Sequence, residues 1–372
     1  MPRRVPRPIR NTLRKLLHLA ARPMKSDRGR GGVVVHAYRG YGSPTEVYVM
    51  GRVFHQPSLG LPAPEDTLYR DIVDVLRRAV RWGVKHVDVT LSLNGNRKTV
   101  TTDRDGYFDV HLMIDRPLPA ERSWHRGTLD IVMRDERTVR GEAEIYVPPR
   151  AVDLVVISDI DDTVMYTGVA NKLKMMYRLF LKKAHQRTAF PGVSAFYQAL
   201  FAGADGQRRR PMLYVSRGPW SIYEVLEEFF QSNGIPVGPI LFLREWGLSL
   251  QRPLPLKAED HKTKLIEQML SLYDNLPFVL IGDSGQHDPE VYAQIVREYP
   301  GRIRAIYIRN VHHDASRDDA IAELAERVQD DGCMLVLASD SAIMAEHAYA
   351  HGLISAVGLE AVREDSRRGD DD

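Results

Sequence analysis

Residues 154–168 read LVVISDIDDTVMYTG, and they indicate both a fold class and a candidate site. Its first part is apolar and β-branched, which is typical of a strand buried on both faces of a parallel sheet. The strand leads into Asp159 and Asp161, whose spacing of two lets both side chains point into one crevice at the carboxyl edge of the sheet. The order of residues suggests a phosphoryl-transfer site. Alone it is a weak signal, since acidic residues also end strands and cap helices.

Three later segments strengthen this interpretation. The apolar strand MLYVS ends in Ser216, a donor suited to a phosphoryl oxygen. A third strand, FVLIG, is followed by Asp283 and, five positions later, by Asp288. Between these two strands, Lys262 begins an amphipathic helix. Polar groups from several strand ends are therefore expected to meet at one edge of the sheet.

Clustered carboxylates repel one another, so several of them at neighbouring strand ends imply a compensating cation. Ligands that are all oxygen atoms favour Mg²⁺ over Zn²⁺. The chain has a single cysteine, Cys333, and its histidines lack paired ligand spacing such as His-Glu-x-x-His. We therefore expect Mg²⁺ as the cofactor.

The four segments resemble the four motifs of the haloacid dehalogenase-like phosphohydrolases. The resemblance implies that Asp159 is the nucleophile and that Asp161 is the general acid and base. It further implies that Ser216 and Lys262 bind the phosphate and that Asp283 and Asp288 are the carboxylates on the metal side. The complete substrate-binding set that we expect is Thr163, Ser216, Arg217 and Lys262, and the metal-binding set is Asp159, Asp161, Asp283 and Asp288.

A narrower resemblance covers roughly residues 150–310. The strings SRGPW, GPILFLREWG, HK-x-x-x-I and GDSGQHDPE-x-Y resemble the actin-patch-protein type of phosphatidate phosphatase. One departure is that the family pattern Ser-x-Ser-Pro-Trp-Asn is replaced by SRGPWS, starting at Ser216. Gly218 stands where the family pattern has a serine, so one hydroxyl is lost. The planar guanidinium of Arg217 could bind a second anionic group. This departure concerns the substrate more than the chemistry.

The predicted mechanism follows from the residue types. Mg²⁺, held by Asp159, Asp283 and the main-chain carbonyl of Asp161, would neutralise phosphate oxygens. Asp159 would attack in line and form an aspartyl-phosphate. Asp161 would give its proton to the leaving alkoxide and then activate the water that hydrolyses the intermediate.

Composition limits the class of protein further. The chain has 372 residues, of which 44% are apolar, enough for more than one buried core. Its single cysteine excludes an intramolecular disulfide and fits a reducing compartment. No apolar stretch reaches the roughly 18 residues of a membrane span, and the first residues lack the apolar core of a signal peptide. We expect a cytoplasmic protein, with peripheral membrane contact as an open alternative.

Residues 1–31 form a basic N-terminal arm with ten Lys or Arg residues and one acid, Asp27. Leucines at helical spacing, such as Leu13 and Leu17, would suit a short helix on an anionic membrane surface. The alternatives are a plain solvated arm and a nucleic-acid-binding arm. Nucleic acid is not the expected partner, because no aromatic residues accompany the charges.

Residues 32–148 show short alternating runs separated by turn signals such as Asn94-Gly95, which predicts an antiparallel β-sandwich. Within this domain, residues 65–82 have helical spacing. Pro148-Pro149 marks the predicted boundary. From 150 to 360, strands alternate with helices, which predicts a doubly wound parallel sheet of the α/β class. Residues 361–372 are expected to be a disordered charged tail.

Three functions remain open at this stage. The first is a Mg²⁺-dependent phosphatase that converts phosphatidate to diacylglycerol and phosphate. The second keeps the chemistry but acts on a soluble phosphomonoester. The third is a non-enzymatic lipid- or protein-binding module on a hydrolase scaffold. The complete set of predicted site residues argues against this third function; the set is Asp159, Asp161, Ser216, Lys262, Asp283 and Asp288.

Overall fold

The computed structural model describes residues 32–56, 82–133, 137–161, 163–164, 190–216, 220, 223–242, 258–311 and 314–370. The chain divides into two compact units. The first contains the described residues up to Leu118 together with Trp124–Ile145, and the second contains Pro119–Ser123 and the described residues from Tyr146 onward.

The first unit is an antiparallel β-structure. In its described part the strands are β1 Gly32–Ala37, β2 Gly40–Ser43, β3 Glu46–Gln56, β4 Trp82–Gly83, β5 Asp88–Leu93, β6 Asn96–Thr101, β7 Tyr107–Met113, β8 Trp124–Val132 and β9 Thr138–Tyr146. Alternate residues of β8 are buried, as expected for strands with one face on a core. Asn94 and Gly95, both with positive φ, form the two-residue turn between β5 and β6. The strands predicted from alternation are confirmed.

A β-sandwich consists of two sheets, whereas the described strands of this unit are joined by hydrogen bonds into one network. The strands form one hydrogen-bonded network in the order β1-β3-β2-β9-β8-β5-β6, and both β4 and β7 pair with β3. The long strand β3 is thus the branch point of the sheet. The antiparallel class is as predicted, and the network is continuous through β3.

The second unit is built on a parallel sheet. Its strands are β10 Val155–Asp159, β11 Met212–Ser216, β12 Ile240–Phe242, β13 Phe278–Asp283, β14 Ile303–Arg309 and β15 Met334–Ala338. Its described helices are α1 Val193–Ala202, α2 Tyr223–Ser232, α3 Ala258–Leu272, α4 Asp288–Glu298, α5 Ala315–Asp330, α6 Ser341–Ala350 and α7 Ala356–Asp370. Strands and helices alternate as the sequence predicted, and the unit has the α/β architecture.

The strand order places a crevice beside β10. The order is β12-β11-β10-β13-β14-β15, and the chain moves outward from β10 in one direction before it restarts on the other side with β13. In open α/β sheets ligands bind where the order reverses, at the carboxyl ends of the strands. Strands β10, β11 and β13 are buried along their whole length, which agrees with their uninterrupted apolar sequences.

A buried arginine connects three segments of this unit by hydrogen bonds. Arg210 is 2% exposed and forks onto both carboxylate oxygens of Asp153, at 2.8 and 2.9 Å. Its Nη1 also donates to the carbonyls of Leu200 in α1 and Leu353 after α6, at 3.2 and 2.6 Å. One side chain therefore satisfies backbone acceptors from two segments that are far apart in sequence.

The expectation of a disordered tail from residue 361 is wrong for residues 361–370, which continue helix α7. Leu359 and Val362, three positions apart on one helix face, are buried, and Arg363 pairs with Glu346 of α6 at 2.8 Å. The charged residues that suggested disorder lie on the solvent side of a packed helix.

Several predictions fall outside the described residues. They are the basic arm 1–31 and the helix predicted within 65–82, of which only Trp82 is described, as part of β4. In the part of the chain that the structure covers, no helix has the length and apolar character needed to cross a bilayer.

Candidate active site

Three buried carboxylates converge at the switch point of the parallel sheet. Asp159 is the last residue of β10, and Asp283 is the last residue of the adjacent strand β13. Asp288 is the first residue of α4. One carboxylate oxygen of each residue lies within 4.8 Å of the others, and each residue is at most 1% exposed. Residues 124 positions apart in sequence thus meet at one point, because neighbouring parallel strands end at the same edge.

Gly282 allows Asp288 to come this close to the strand. A Cβ atom at position 282 would lie 2.4 Å from Oδ2 of Asp288 and 2.7 Å from its Cβ. The main-chain N–H of Asp283 donates to the same Oδ2 at 3.3 Å. The missing side chain therefore lets a carboxylate from α4 contact the end of β13.

Lys262 supplies a positive charge inside the cluster. It lies in the second turn of α3, and its side chain is completely buried. Its Nζ is 2.6 Å from Oδ1 of Asp159 and 2.5 Å from Oδ1 of Asp288. An ammonium group shared by two buried carboxylates offsets part of their repulsion.

Burial and neighbouring charges shift the pKa values of two groups in this cluster. Burial raises the pKa of Asp159 well above its usual range; Lys262 opposes this, and the carboxylates of Asp288, Asp161 and Asp283 reinforce it. Burial lowers the pKa of Lys262, but Asp159 and Asp288 outweigh burial and raise it to about 12. The lysine is therefore charged at neutral pH, yet its single charge does not hold the pKa of Asp159 at its ordinary value.

Gln286 is a residue of this site that sequence reasoning missed. Its Nε2 donates to Oδ2 of Asp283 at 2.7 Å and to the main-chain oxygen of Asp161 at 3.1 Å, and lies 3.5 Å from Oδ2 of Asp159. The signal was its place in the loop between two predicted ligands, three residues after Asp283. A glutamine in a loop has no distinctive pattern, so only the fold shows where the amide goes.

A second contact that the sequence did not predict holds the end of β10 in place. The hydroxyl of Ser158 lies 2.6 Å from the hydroxyl of Tyr197 in α1 and donates to the main-chain oxygen of Asp159 at 2.8 Å. Both side chains are buried, and burial raises the pKa of Tyr197 above its usual range. The phenol therefore remains a neutral hydrogen-bonding group that fixes the end of the strand.

The remaining predicted residues are placed as follows. Asp161 is 3% exposed and its main-chain oxygen faces Gln286, but its carboxylate is not among the three that converge in the described part of the chain. Thr163 is buried, and its Oγ1 has no hydrogen-bond partner among the described residues. Ser216 is fully buried at the end of β11, next to β10. Arg217 lies outside the described residues.

The residues of this site fit a hard divalent cation and an anionic ligand. The converging ligand atoms are carboxylate oxygens, which Mg²⁺ prefers. Oε1 of Gln286 and Oγ1 of Thr163 are buried polar atoms without a partner in the described residues. Buried polar atoms are normally satisfied, so both indicate that a further polar group belongs here. A cation at this place would favour the ionised form of Asp159, whose pKa burial raises.

The fold and site together define the second unit as an α/β domain with an acidic site at its topological switch point. Residues 154–310 match the model of the family described as the catalytic domain of phosphatidate phosphatase APP1. The match begins at the strand that carries Asp159 and ends just after β14.

Two relatives extend the comparison. Phosphatidate phosphatase APP1 of Saccharomyces cerevisiae is 34% identical over 164 residues, which are 44% of this chain and 27% of that protein. An uncharacterized protein of Schizosaccharomyces pombe is 30% identical over 220 residues, which are 58% of this chain and 35% of that protein. The chain thus spans about a third of the length of the curated relatives it matches.

Among solved structures, a carbohydrate acetylesterase from Xanthomonas citri is similar with a TM-score of 0.25 and 11% identity, covering 77% of this chain and 71% of that chain. A bacterial immunoglobulin-like domain from the M. primoryensis ice-binding adhesin has a TM-score of 0.17 and 15% identity, covering 32% of this chain and 95% of that chain. Neither similarity is strong enough to inform the fold or the function.

Proposed function

We propose that this chain is a Mg²⁺-dependent phosphatase that hydrolyses phosphatidate to diacylglycerol and phosphate. The observation that carries the proposal is the convergence of Asp159, Asp283 and Asp288 at the switch point of the sheet, where the ammonium group of Lys262 pairs with Asp159 and Asp288. The match of residues 154–310 to the catalytic domain of a phosphatidate phosphatase supports the choice of substrate. The strand order and the four motif segments support a haloacid dehalogenase-like domain.

In the proposed reaction, a carboxylate oxygen of Asp159 attacks the phosphorus atom and the bond to the lipid alkoxide breaks. Asp161 gives its proton to that alkoxide, which leaves as diacylglycerol. Asp161 then takes a proton from water, whose oxygen attacks the aspartyl-phosphate, and Asp159 leaves as a free carboxylate. Phosphate is released and both acids return to their starting states.

The remaining residues stabilise charge. Asp159 and Asp283 would hold Mg²⁺, with the main-chain oxygen of Asp161 beside them. When bound, Mg²⁺ neutralises charge on the phosphoryl oxygens, so that the Asp159 carboxylate can approach the anionic phosphoryl group. Lys262 binds the negative charge that develops in the transition state and, through Asp288, is held in place. The buried hydroxyls of Thr163 and Ser216 are donors for the phosphoryl oxygens.

The test is release of phosphate from phosphatidate in mixed micelles and from small soluble phosphomonoesters, each with Mg²⁺ or with a chelator. Asp159→Asn removes the nucleophile and should lower kcat by at least about 10⁴-fold. Asp274→Asn, at an exposed position of the same unit, is the matched control and should keep wild-type activity. Chelation should abolish turnover, and added Mg²⁺ should restore it.

The outcomes separate the three functions that the sequence left open. Turnover of soluble esters without turnover of phosphatidate would remove the lipid substrate and keep the chemistry. A folded protein inactive on both substrates would contradict the phosphatase. Full activity of Asp159→Asn would refute the covalent mechanism.

A further inference from the structure

The loop between β13 and α4 carries one residue that contacts both sides of the acidic site. Gln286 lies in this loop and is 7% exposed. Its Nε2 donates to Asp283 at 2.7 Å and to the main-chain oxygen of Asp161 at 3.1 Å. The first acceptor is the last residue of β13, and the second lies two residues after the end of β10. One carboxamide therefore connects the ends of the two strands that form the switch point.

The orientation of this amide is determined by its neighbours. The groups near Nε2 are two carboxylates and a carbonyl, all of which are acceptors. Oε1 therefore occupies the other position, where it is buried without a hydrogen-bond partner among the described residues. A buried carboxamide oxygen in this state indicates a donor or a cation that belongs to the site.

The backbone of the loop is held from outside the site. Arg317 of α5 donates to the carbonyls of Ser284 and Gln286, at 2.9 and 2.8 Å. The same guanidinium makes a bidentate pair with Glu290 of α4. The N–H of Gly285 also donates to Oδ1 of Asp283 at 2.8 Å. These contacts fix the position of the Gln286 backbone. A residue that orients metal ligands must itself be held in place in this way.

We propose that Gln286 is a positioning residue for the divalent cation of this site. Its Nε2 holds Asp283 and the main-chain oxygen of Asp161 in place, and its Oε1 accepts a hydrogen bond from the hydration shell of the cation. Mg²⁺ usually keeps several of its waters in protein sites. A neutral carboxamide performs both tasks without adding to the repulsion among the acids. The inference rests on the cation of the proposed function.

The experiment measures binding of Mg²⁺ alone by calorimetric titration, without substrate. Gln286→Met keeps the size of the side chain but removes donor and acceptor, and the affinity for Mg²⁺ should fall about 10- to 100-fold. Gln198→Met is the matched control. Gln198 also donates to a main-chain carbonyl, that of Gly234 at 2.6 Å, but on the exposed surface. Its variant should bind Mg²⁺ as the wild type does.

Gln286→Glu separates the donor role from simple packing. It keeps the shape but replaces Nε2 with an oxygen that would face Oδ2 of Asp283. Without Mg²⁺ this variant should melt at a lower temperature than the wild type, and Mg²⁺ should raise its melting temperature more. A residue whose amide nitrogen did not face Asp283 would show neither effect, because the new carboxylate would then not lie against another acid. If Gln286→Met does not fold, Gln286→Asn takes its place and should also weaken Mg²⁺ binding.

Wild-type affinity for Mg²⁺ in Gln286→Met, or an unchanged melting temperature in metal-free Gln286→Glu, would overturn the inference. Failure of the wild type to bind Mg²⁺ would overturn it as well. Phosphate release is a separate measurement. A wild type that binds Mg²⁺ but does not hydrolyse phosphoesters would refute the proposed function and leave the role of Gln286 in cation binding intact.

Discussion

The variant Gly282→Ala tests whether the position of Asp288 controls the site. The new Cβ would lie 2.4 Å from Oδ2 of Asp288, far inside an ordinary contact of at least 3.4 Å. Asp288 cannot simply rotate away, because its Oδ1 is 2.5 Å from Nζ of Lys262. To relieve the overlap, the carboxylate must move by about 1 Å or the loop must shift by a similar amount.

The expected loss of activity follows from that displacement. A misplacement of about 1 Å in a catalytic group costs about 100-fold in rate, or about 2.7 kcal/mol of barrier. Overpacking should also lower the free energy of unfolding by about 1–3 kcal/mol. The variant should therefore fold, melt at a lower temperature and hydrolyse phosphatidate about 100-fold more slowly than the wild type.

The assay is steady-state phosphate release with Mg²⁺, together with circular dichroism to show that the variant is folded. Gly127→Ala in β8 is the control, because its Cβ would come within 3 Å only of the flexible tip of Leu91, at 2.9 Å. It should keep full activity. A folded Gly282→Ala variant with activity within about threefold of wild type would refute the claim that Asp288 must sit against the strand.

Three further predictions concern other buried groups. Lys262→Met should lower kcat/KM by about 10²–10³-fold, whereas Lys264→Met, at an exposed position of the same helix, should not. Arg210→Met should lower the free energy of unfolding in urea by about 2–3 kcal/mol, less than for a fully buried pair because Asp153 is partly exposed. The hydrogen bond from Arg210 lowers the pKa of Asp153 in the folded protein. The stabilisation by this pair is therefore present above about pH 4 and is lost as the pH falls through the lowered pKa. If the stability of the wild type and that of Arg210→Met depended equally on pH, this prediction would be wrong. Burial raises the pKa of Cys333 to about 12, so a thiol reagent should modify it only in urea, and rapid modification of the native protein would contradict its burial.

Much of the fold could be predicted because its signals are local. The apolar runs at β10, β11 and β13 indicated buried parallel strands, and alternation in the first unit indicated antiparallel ones. The tail was misjudged because its charges dominate its composition, while two apolar residues, Leu359 and Val362, are enough to dock helix α7. Sequence also gave no indication that β3 pairs with four strands, since pairing partners are non-local.

Residue type and spacing are enough to show which residues could do chemistry here, because acids, a lysine and a serine at strand ends form recognisable patterns. Only the folded chain shows which of them meet. It brought together Asp159, Asp283 and Asp288, left the carboxylate of Asp161 out of that cluster, and added Gln286. Distances of a few ångströms between remote side chains depend on strand order and on the close approach that Gly282 permits, and neither can be read from local sequence patterns.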